Sequence, residues 1–189
     1  MSWIARVTPE TASAELKPVY EKIRTRSASQ QVSYVWQVWG THPSGLEASF
    51  ACYRALMDEP APLTAAQVQM IATVVSATNG CAYCVTHHGT KLARLAGDEI
   101  ARGVARDYRE ANLAARDRVL LDAAVALTCE PAERTQADLD RLREYGFDDV
   151  ALLKAVEISA YYNYVNRVVL ALGVELEPGL VAWEFGSQK

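Results

Sequence analysis

The chain has 189 residues, of which 50% are hydrophobic and 22% are charged, and its formal net charge is -4. This composition is ordinary for a globular protein, and a chain of this length buries enough surface to fold without disulfides or a structural metal. Because the charge is slightly negative and Lys and Arg do not cluster, we expect no nucleic-acid partner.

The sequence also predicts neither export nor membrane insertion. The first residues lack the basic region and apolar run of a secretory signal. The longest apolar stretches are interrupted by Gln67, Glu157 and Arg167, whereas a membrane span needs about 20 uninterrupted apolar residues. We therefore expect a cytoplasmic protein with no membrane partner. Since the cytosol keeps thiols reduced, the four cysteines indicate catalysis or metal binding rather than a disulfide scaffold.

Apolar spacing and cap signals predict helices along almost the whole chain. Thr8-Pro9 opens the first helix, and Thr64 opens the third with Gln67 three residues later, as in a capping box. The predicted helices cover about residues 8–24, 42–58, 64–79, 81–96, 108–129, 135–145 and 148–172, with a short segment after Asp98. No alternating run predicts a strand, so we expect a single all-α domain over residues 1–189.

The strongest chemical motif is Gly80-Cys81-Ala82-Tyr83-Cys84-Val85-Thr86-His87-His88. It opens a predicted helix, so Cys81, Cys84 and His88 share one helix face. A helix N-terminus lowers a thiol pKa through its dipole and its unpaired backbone N–H groups. His88 can accept the proton of Cys84 or stabilise its thiolate. A thiolate attacks disulfides and peroxides, and a sulfenic acid on Cys84 can condense with Cys81 into a disulfide.

Other uses of a cysteine pair stay open. A thioredoxin-like domain would place the motif beside a βαβ pattern, which the sequence lacks. Covalent haem attachment needs His directly after the second Cys, where Val85 stands. Zinc binding would use Cys81, Cys84 and His87 or His88, with a fourth ligand still to be found. A purely structural buried pair is the remaining alternative.

At these residues the sequence resembles the alkylhydroperoxidase D-like branch of the carboxymuconolactone decarboxylase family. The resembling core runs from Thr64 to Gly97 and contains the Cys-x-x-Cys-x-x-x-His motif in its helical context. A subgroup called peroxidase-related proteins shares further segments, namely Trp3-Ile4, Pro9-Glu10, His42-Pro43 and Tyr162-Asn163-Tyr164-Val165-Asn166-Arg167. The likeness therefore covers most of the chain.

The resemblance implies an alkylhydroperoxidase D-like helical fold and a homo-oligomer built on helix packing. For the thiol chemistry we expect no required metal or organic cofactor. By the family motif, Cys84 is the peroxide-attacking cysteine, Cys81 is the resolving cysteine and His88 belongs to a proton relay. The substrate would be a hydroperoxide, and an external dithiol or dithiol protein would be the reductant. The alternative function is a redox-responsive binding protein without efficient turnover.

Two positions depart from the family pattern. Gln69 stands where the family commonly has a Glu that completes the relay, and an amide holds a water but does not carry a proton. Tyr83 stands where some members have His. Glu157, isolated on an apolar helix face, is a candidate substitute for the carboxylate. His87 points about 100° away from His88 around the helix, so we expect it at the surface or in packing.

Three further groups have structural expectations. The lone Cys52 and Cys129 are expected to be buried and inert, because a lone cysteine behaves as a small hydrophobe. Asn163, Asn166 and Arg167 share a helix face, which we expect at an interface or in structural hydrogen bonds. The aromatic residues of the 36–39 and 161–164 stretches are expected in packing.

Overall fold

The computed structural model describes residues 2–27 and 29–188. Those residues form helices joined by turns and loops, without any strand, which confirms the predicted all-α fold class. The helices are α1 (Leu16–Arg24), α2 (Tyr34–Trp39), α3 (Pro43–Met57), α4 (Ala65–Thr78), α5 (Ala82–Ala96), α6 (Asp98–Asp107), α7 (Ala115–Cys129), α8 (Gln136–Glu144) and α9 (Asp149–Ala171), with a 3-10 turn at Pro131–Glu133. Within the same residues, no helix has the length and apolar character needed to cross a bilayer.

Helix α4 lies at the centre of the fold. Every residue from Gln67 to Thr78 is buried, and α4 packs against α5, α6, α7 and α9. A helix that is apolar nearly all round is stable only when other elements cover it. The neighbouring helices supply that cover, and one hydrophobic core extends from α1 to α9.

The turn between α4 and α5 fixes the start of the thiol helix. Gly80 adopts a φ of 72° directly after Asn79, the C-cap of α4, and glycine takes this conformation without steric cost. The backbone N–H of Cys81 donates to the carbonyl of Ser76 at 2.9 Å, and that of Gly80 donates to Ala77 at 3.0 Å. These two bonds form a Schellman motif and hold Cys81 as the N-cap of α5.

The predicted start of the first helix is wrong. The helix begins at Leu16 rather than near Thr8. Proline has no N–H to donate, and its ring clashes with the preceding turn, so it is tolerated only in the first turn of a helix. Starting at Leu16 places Pro18 in that first turn, whereas a start at Thr8 would place it in the interior.

The predicted start of the long helix after α6 is also wrong, since α7 begins at Ala115 rather than Tyr108. The guanidinium of Arg118 donates to the carbonyl oxygens of Tyr108, Arg109 and Ala111. This segment therefore satisfies its backbone acceptors without becoming helical. Helix α2 was not predicted, because its six residues are mostly apolar or aromatic and are too few to show a helical period, although Ser33 stands at the N-cap.

The segment after α9 runs back across the thiol helix. The amide of Trp183 donates to Thr86 Oγ1 on α5 at 3.1 Å, and the amide of Gly186 donates to the carbonyl of Ala105 on α6 at 3.2 Å. The Trp183 ring lies against Gly89, where a Cβ would come within 2.7 Å of the ring. Because Gly89 has no side chain, the tail can pack closely on α5.

Helix α9 exposes a row of apolar side chains. Val150, Leu153, Val156 and Tyr164 are 63%, 60%, 41% and 49% exposed. A face of this kind suits contact with a second copy of the chain. The homo-oligomer and the single-domain organisation stay predictions.

Thr64 forms the predicted capping box of α4. Its side-chain oxygen accepts from the amide of Gln67 at 3.1 Å, and Gln67 Oε1 accepts from the amide of Thr64 at 2.9 Å. Thr64→Ala should therefore lower the free energy of unfolding by about 1 kcal/mol, measured by chemical denaturation. Thr64→Ser keeps the acceptor oxygen and is the control. An equal loss in both variants would contradict the assigned cap.

Candidate active site

A cavity of about 60 Å³ lies between α2, α3, α5 and α9. Cys84 and His88 line it, whereas Cys81 is fully buried and is not part of the lining. The other walls are mainly aromatic and include Trp36, Trp39, Tyr53, Tyr161 and Tyr162. A larger cavity of about 360 Å³ between α7, α8 and α9 is lined by no Cys or His. The smaller cavity is therefore the candidate active site.

The two thiols belong to a buried hydrogen-bond network. The free thiols of Cys81 and Cys84 lie close enough to interact with each other, and the Asn166 side chain of α9 interacts with both. Asn166 Nδ2 also donates to Ser76 Oγ at 3.1 Å, and its Oδ1 accepts from Asn79 Nδ2 at 3.0 Å. Because Asn166 is fully buried and is held by Ser76 of α4 and by Asn79, the C-cap of α4, its amide stays fixed beside the sulfurs.

The pKa values of the two thiols diverge. The hydrogen bond from Cys84 lowers the pKa of Cys81, although burial opposes this, and backbone amides at the start of α5 lower it further. The same contact, together with burial, raises the pKa of Cys84 well above its ordinary value. The low pKa expected at the helix N-terminus therefore falls on Cys81 and not on Cys84. A base must take the proton of Cys84 before this sulfur can attack.

His88 has the properties of such a base. Its Nδ1 lies 2.8 Å from Gln69 Oε1. Since a carboxamide oxygen only accepts, Nδ1 carries the hydrogen and Nε2 keeps a free lone pair. Burial lowers the pKa of His88 well below its ordinary value, and the charges of Lys91 and His87 lower it further. His88 is therefore neutral at neutral pH, so it accepts a proton rather than stabilising a thiolate as a cation.

The C-terminal tail places a carboxylate against two residues that line the cavity. Glu177 Oε1 accepts from the Tyr83 hydroxyl and from the amide of Tyr34, both at 2.7 Å, and Oε2 lies 2.9 Å from His87 Nε2. Tyr83 and His87 both line the cavity beside Cys84. Burial alone would raise the pKa of Glu177, but these hydrogen bonds outweigh it and lower the pKa from 4.5 to about 2. The carboxylate thus joins the tail to α2 and α5 beside the cavity.

The structure brings the four predicted site residues together. Cys84 and His88 line the cavity, Cys81 lies within hydrogen-bond reach of Cys84, and Gln69 binds His88. Their chemical roles stay predictions. In residues 2–27 and 29–188, no group of three or more His, Cys, Asp or Glu side chains could hold a metal ion.

Other expectations are corrected. Cys52 and Cys129 are exposed rather than buried, because each lies on the outer side of its helix. Glu157 is exposed on α9 and lies outside the cavity lining, so it is not the carboxylate of this site. His87 faces the cavity and binds Glu177, in addition to packing against other residues.

Sequence reasoning missed Glu177 and assigned Asn166 only to an interface or to structural bonding. A signal for Asn166 was present, because Asn163 and Asn166 are polar residues on a helix that is otherwise largely apolar. Glu177 has no such signal, since it lies 90 positions beyond His87 in an irregular tail.

The depressed pKa of Glu177 predicts a pH-dependent stability. The folded state holds the Glu177 proton more weakly than the unfolded chain does, so the carboxylate's stabilisation is present above pH 4.5 and is lost as the pH falls toward about 2. The difference in unfolding free energy between wild type and Glu177→Gln should shrink across this window. Glu184→Gln, at a tail carboxyl that is 84% exposed, is the control. A Glu177→Gln difference that does not change with pH would contradict the prediction.

Comparison with family models gives one match. The model described as the Carboxymuconolactone decarboxylase family matches residues 43–102, a range that contains Gln69, the thiol pair and His88. No curated protein matches the chain significantly in sequence.

Solved structures match over nearly the whole chain. An uncharacterized peroxidase-related protein from Ralstonia eutropha JMP134, described as an alkylhydroperoxidase AhpD core, is 27% identical, with a TM-score of 0.86 over 95% of this chain and 94% of its own. A peroxidase-related protein from Silicibacter sp. TM1040 is 29% identical, with a TM-score of 0.82 over 93% of each chain.

The debrominase Bmp8, solved in complex with 2,3,4-tribromopyrrole, is 19% identical, with a TM-score of 0.77 over 94% of this chain and 95% of its own. At this identity the likeness concerns the fold alone. The family match and the two peroxidase-related structures agree with each other. Residues 43–102 are similar to the carboxymuconolactone decarboxylase family, and the chain has the alkylhydroperoxidase D-like fold.

Proposed function

We propose that the protein is a thiol-dependent peroxidase or thiol-disulfide oxidoreductase in which Cys84 attacks a hydroperoxide. The observation that carries the proposal is the asymmetry of the thiol pair. Cys84 lines the cavity together with the neutral His88, whereas Cys81 is fully buried beside Cys84 and does not line the cavity. A peroxide that enters the cavity can therefore reach Cys84, while Cys81 is shielded from the peroxide and is placed to resolve the sulfenic acid.

The first step transfers one oxygen atom to sulfur. His88 accepts the proton of Cys84, the thiolate attacks the distal oxygen of ROOH, and the O–O bond breaks to release RO⁻. The proton held by His88 then passes to RO⁻, so Cys84–SH and ROOH become Cys84–SOH and ROH. This step needs no further proton or electron. A positioned acid–base group typically contributes a factor of about 10² to 10⁴ to such a reaction.

The second step closes the disulfide. The Cys81 sulfur attacks the sulfenic sulfur of Cys84, and the oxygen leaves as water. An external dithiol or dithiol protein then reduces the Cys81–Cys84 disulfide and is itself oxidised to a disulfide. That reduction restores both thiols and completes a two-electron cycle.

The aromatic walls favour a second candidate function, the thiol-dependent removal of a halogen from an aromatic ring, because flat rings stack on Trp and Tyr. An aryl bromide and two thiols would give the arene, the Cys81–Cys84 disulfide, bromide and a proton. The likeness to Bmp8 does not carry that activity to this chain, so the walls are the reason to test it. Bromide release from 2,3,4-tribromopyrrole without peroxide consumption would favour this candidate.

The roles of the two cysteines are tested in a protein that carries Cys52→Ser and Cys129→Ser, since those thiols are exposed. With excess dithiol, this protein should consume peroxide at steady state. Adding Cys84→Ser should abolish consumption, and adding Cys81→Ser should leave a sulfenic acid on Cys84 that dimedone traps and mass spectrometry detects. Trapping on Cys81 in the Cys84→Ser protein at an equal rate would reverse the roles. A single oxidation without turnover would favour the redox-responsive binding protein.

Gln69 is the second position to test. Gln69→Glu places a carboxylate where an amide oxygen now accepts from His88 Nδ1 at 2.8 Å. A carboxylate partner makes a histidine more basic, so the peroxidase rate should rise, mainly near neutral pH. Gln69→Met keeps the size but replaces the amide oxygen with a much weaker acceptor, so it should lower the rate. A Gln69→Glu protein that is less stable by a few kcal/mol, with no gain in rate, would mean that Gln69 is not a relay position.

A further inference from the structure

The hydroxyl of Tyr162 is buried without a hydrogen-bond partner. Tyr162 is 1% exposed, and its oxygen is one of three buried side-chain polar atoms that lack a partner among the described residues. The other two belong to Arg6 and Thr73, which lie outside the thiol cavity, whereas Tyr162 lines it. An unpaired buried hydroxyl is destabilising, so proteins rarely keep one unless a ligand or water binds it.

The other tyrosines of the cavity differ from Tyr162 in this respect. The hydroxyl of Tyr161, the preceding residue, bonds to Ser49. Tyr83 donates to a carboxylate at 2.7 Å, and the Tyr53 oxygen accepts from a lysine ammonium at 3.0 Å. Of the four tyrosines that line the cavity, Tyr162 is thus the one whose hydroxyl has no hydrogen-bond partner among the described residues.

Tyr162 also lies beside the groups that react in the proposed mechanism. Its ring meets the His88 ring edge to face, with the centroids 4.6 Å apart and an interplanar angle of 74°. Burial raises the pKa of Tyr162 well above its ordinary value. The hydroxyl therefore keeps its proton at neutral pH and is available as a donor.

We propose that the Tyr162 hydroxyl donates a hydrogen bond to the proximal oxygen of the bound hydroperoxide, the oxygen that leaves as RO⁻. This inference rests on the proposed peroxidase function and adds a catalytic residue to it. Negative charge develops on that oxygen as the O–O bond breaks, and a donor already fixed in place stabilises it without reorganisation. The proton itself still travels from Cys84 through His88 to RO⁻, so Tyr162 stays protonated and the products remain Cys84–SOH and ROH.

The first experiment measures binding without reaction. In a protein carrying Cys81→Ala and Cys84→Ala, titration with tert-butyl hydroperoxide is followed by tryptophan fluorescence, since Trp36 and Trp39 line the cavity. Adding Tyr162→Phe should weaken binding by about two- to tenfold, which is the usual contribution of one neutral hydrogen bond. Equal binding by the two proteins, or no binding by either, overturns the inference.

The second experiment measures sulfenic acid formation in the Cys81→Ser protein with two oxidants. Loss of an alkoxide from tert-butyl hydroperoxide needs charge stabilisation, whereas peracetic acid releases acetate, which carries its charge unaided. Tyr162→Phe should slow the reaction with tert-butyl hydroperoxide by about ten- to a hundredfold and the reaction with peracetic acid much less. Equal slowing of both reactions would indicate a structural role and overturns the inference.

Thermal unfolding provides the control. Tyr162→Phe removes an unpaired buried hydroxyl and should raise the melting temperature. Tyr108→Phe, away from the cavity, removes a hydroxyl that donates to Asp122 at 2.8 Å and should lower it without changing the rates. If wild type consumes no peroxide but binding still depends on Tyr162, the proposed peroxidase function fails while the ligand contact of Tyr162 stands.

Discussion

The burial of α4 on nearly every side is the constraint on which the site depends. The polar side chains of this helix are buried, and apart from that of Thr73 they bind partners inside the protein. Gln69 binds His88, Ser76 binds Asn166, and Asn79 caps the helix while binding the same asparagine. The groups that satisfy α4 are therefore the groups that hold the thiols and the histidine in place.

Burial at the thiol pair determines the resting protonation states of Cys84 and His88. Burial lowers the pKa of His88 and, together with the contact to Cys81, raises the pKa of Cys84. Both groups are consequently neutral, and Cys84 becomes nucleophilic only when its proton is taken. A reactive thiolate exposed to solvent would be open to every oxidant. The geometry instead favours a thiol that reacts with molecules able to enter a cavity of about 60 Å³.

Polar contacts from distant parts of the chain complete the cavity. Glu177 reaches Tyr83 and His87 from the tail, and Asn166 reaches the sulfurs from α9. Lys91 donates to the hydroxyl of Tyr53 across α5 and α3. Since these side chains are buried or partly buried, each bond fixes the relative position of two elements as well as one side chain. The walls of the cavity thus depend on the packing of the tail as much as on the thiol helix.

The sequence by itself determined the helical class, most helix positions and the group Cys81, Cys84 and His88. These features follow from local spacing, because residues one turn apart on a helix are neighbours regardless of the rest of the fold. The capping box at Thr64 is likewise local and is found as predicted. The first helix shows the limit of local spacing as a predictor. Its predicted pattern extends back toward Thr8, but Pro18 restricts the start of the helix to Leu16.

Only the tertiary structure decided which thiol faces the cavity, which thiol has the lower pKa and where the carboxylate comes from. Those properties depend on burial and on partners far away in the chain, such as Asn166 and Glu177. The unpaired hydroxyl of Tyr162 belongs to the same class, because the absence of a partner becomes visible only when all neighbours are in place. Local spacing selects the reactive groups, whereas packing sets the dielectric environment and the contacts that tune them.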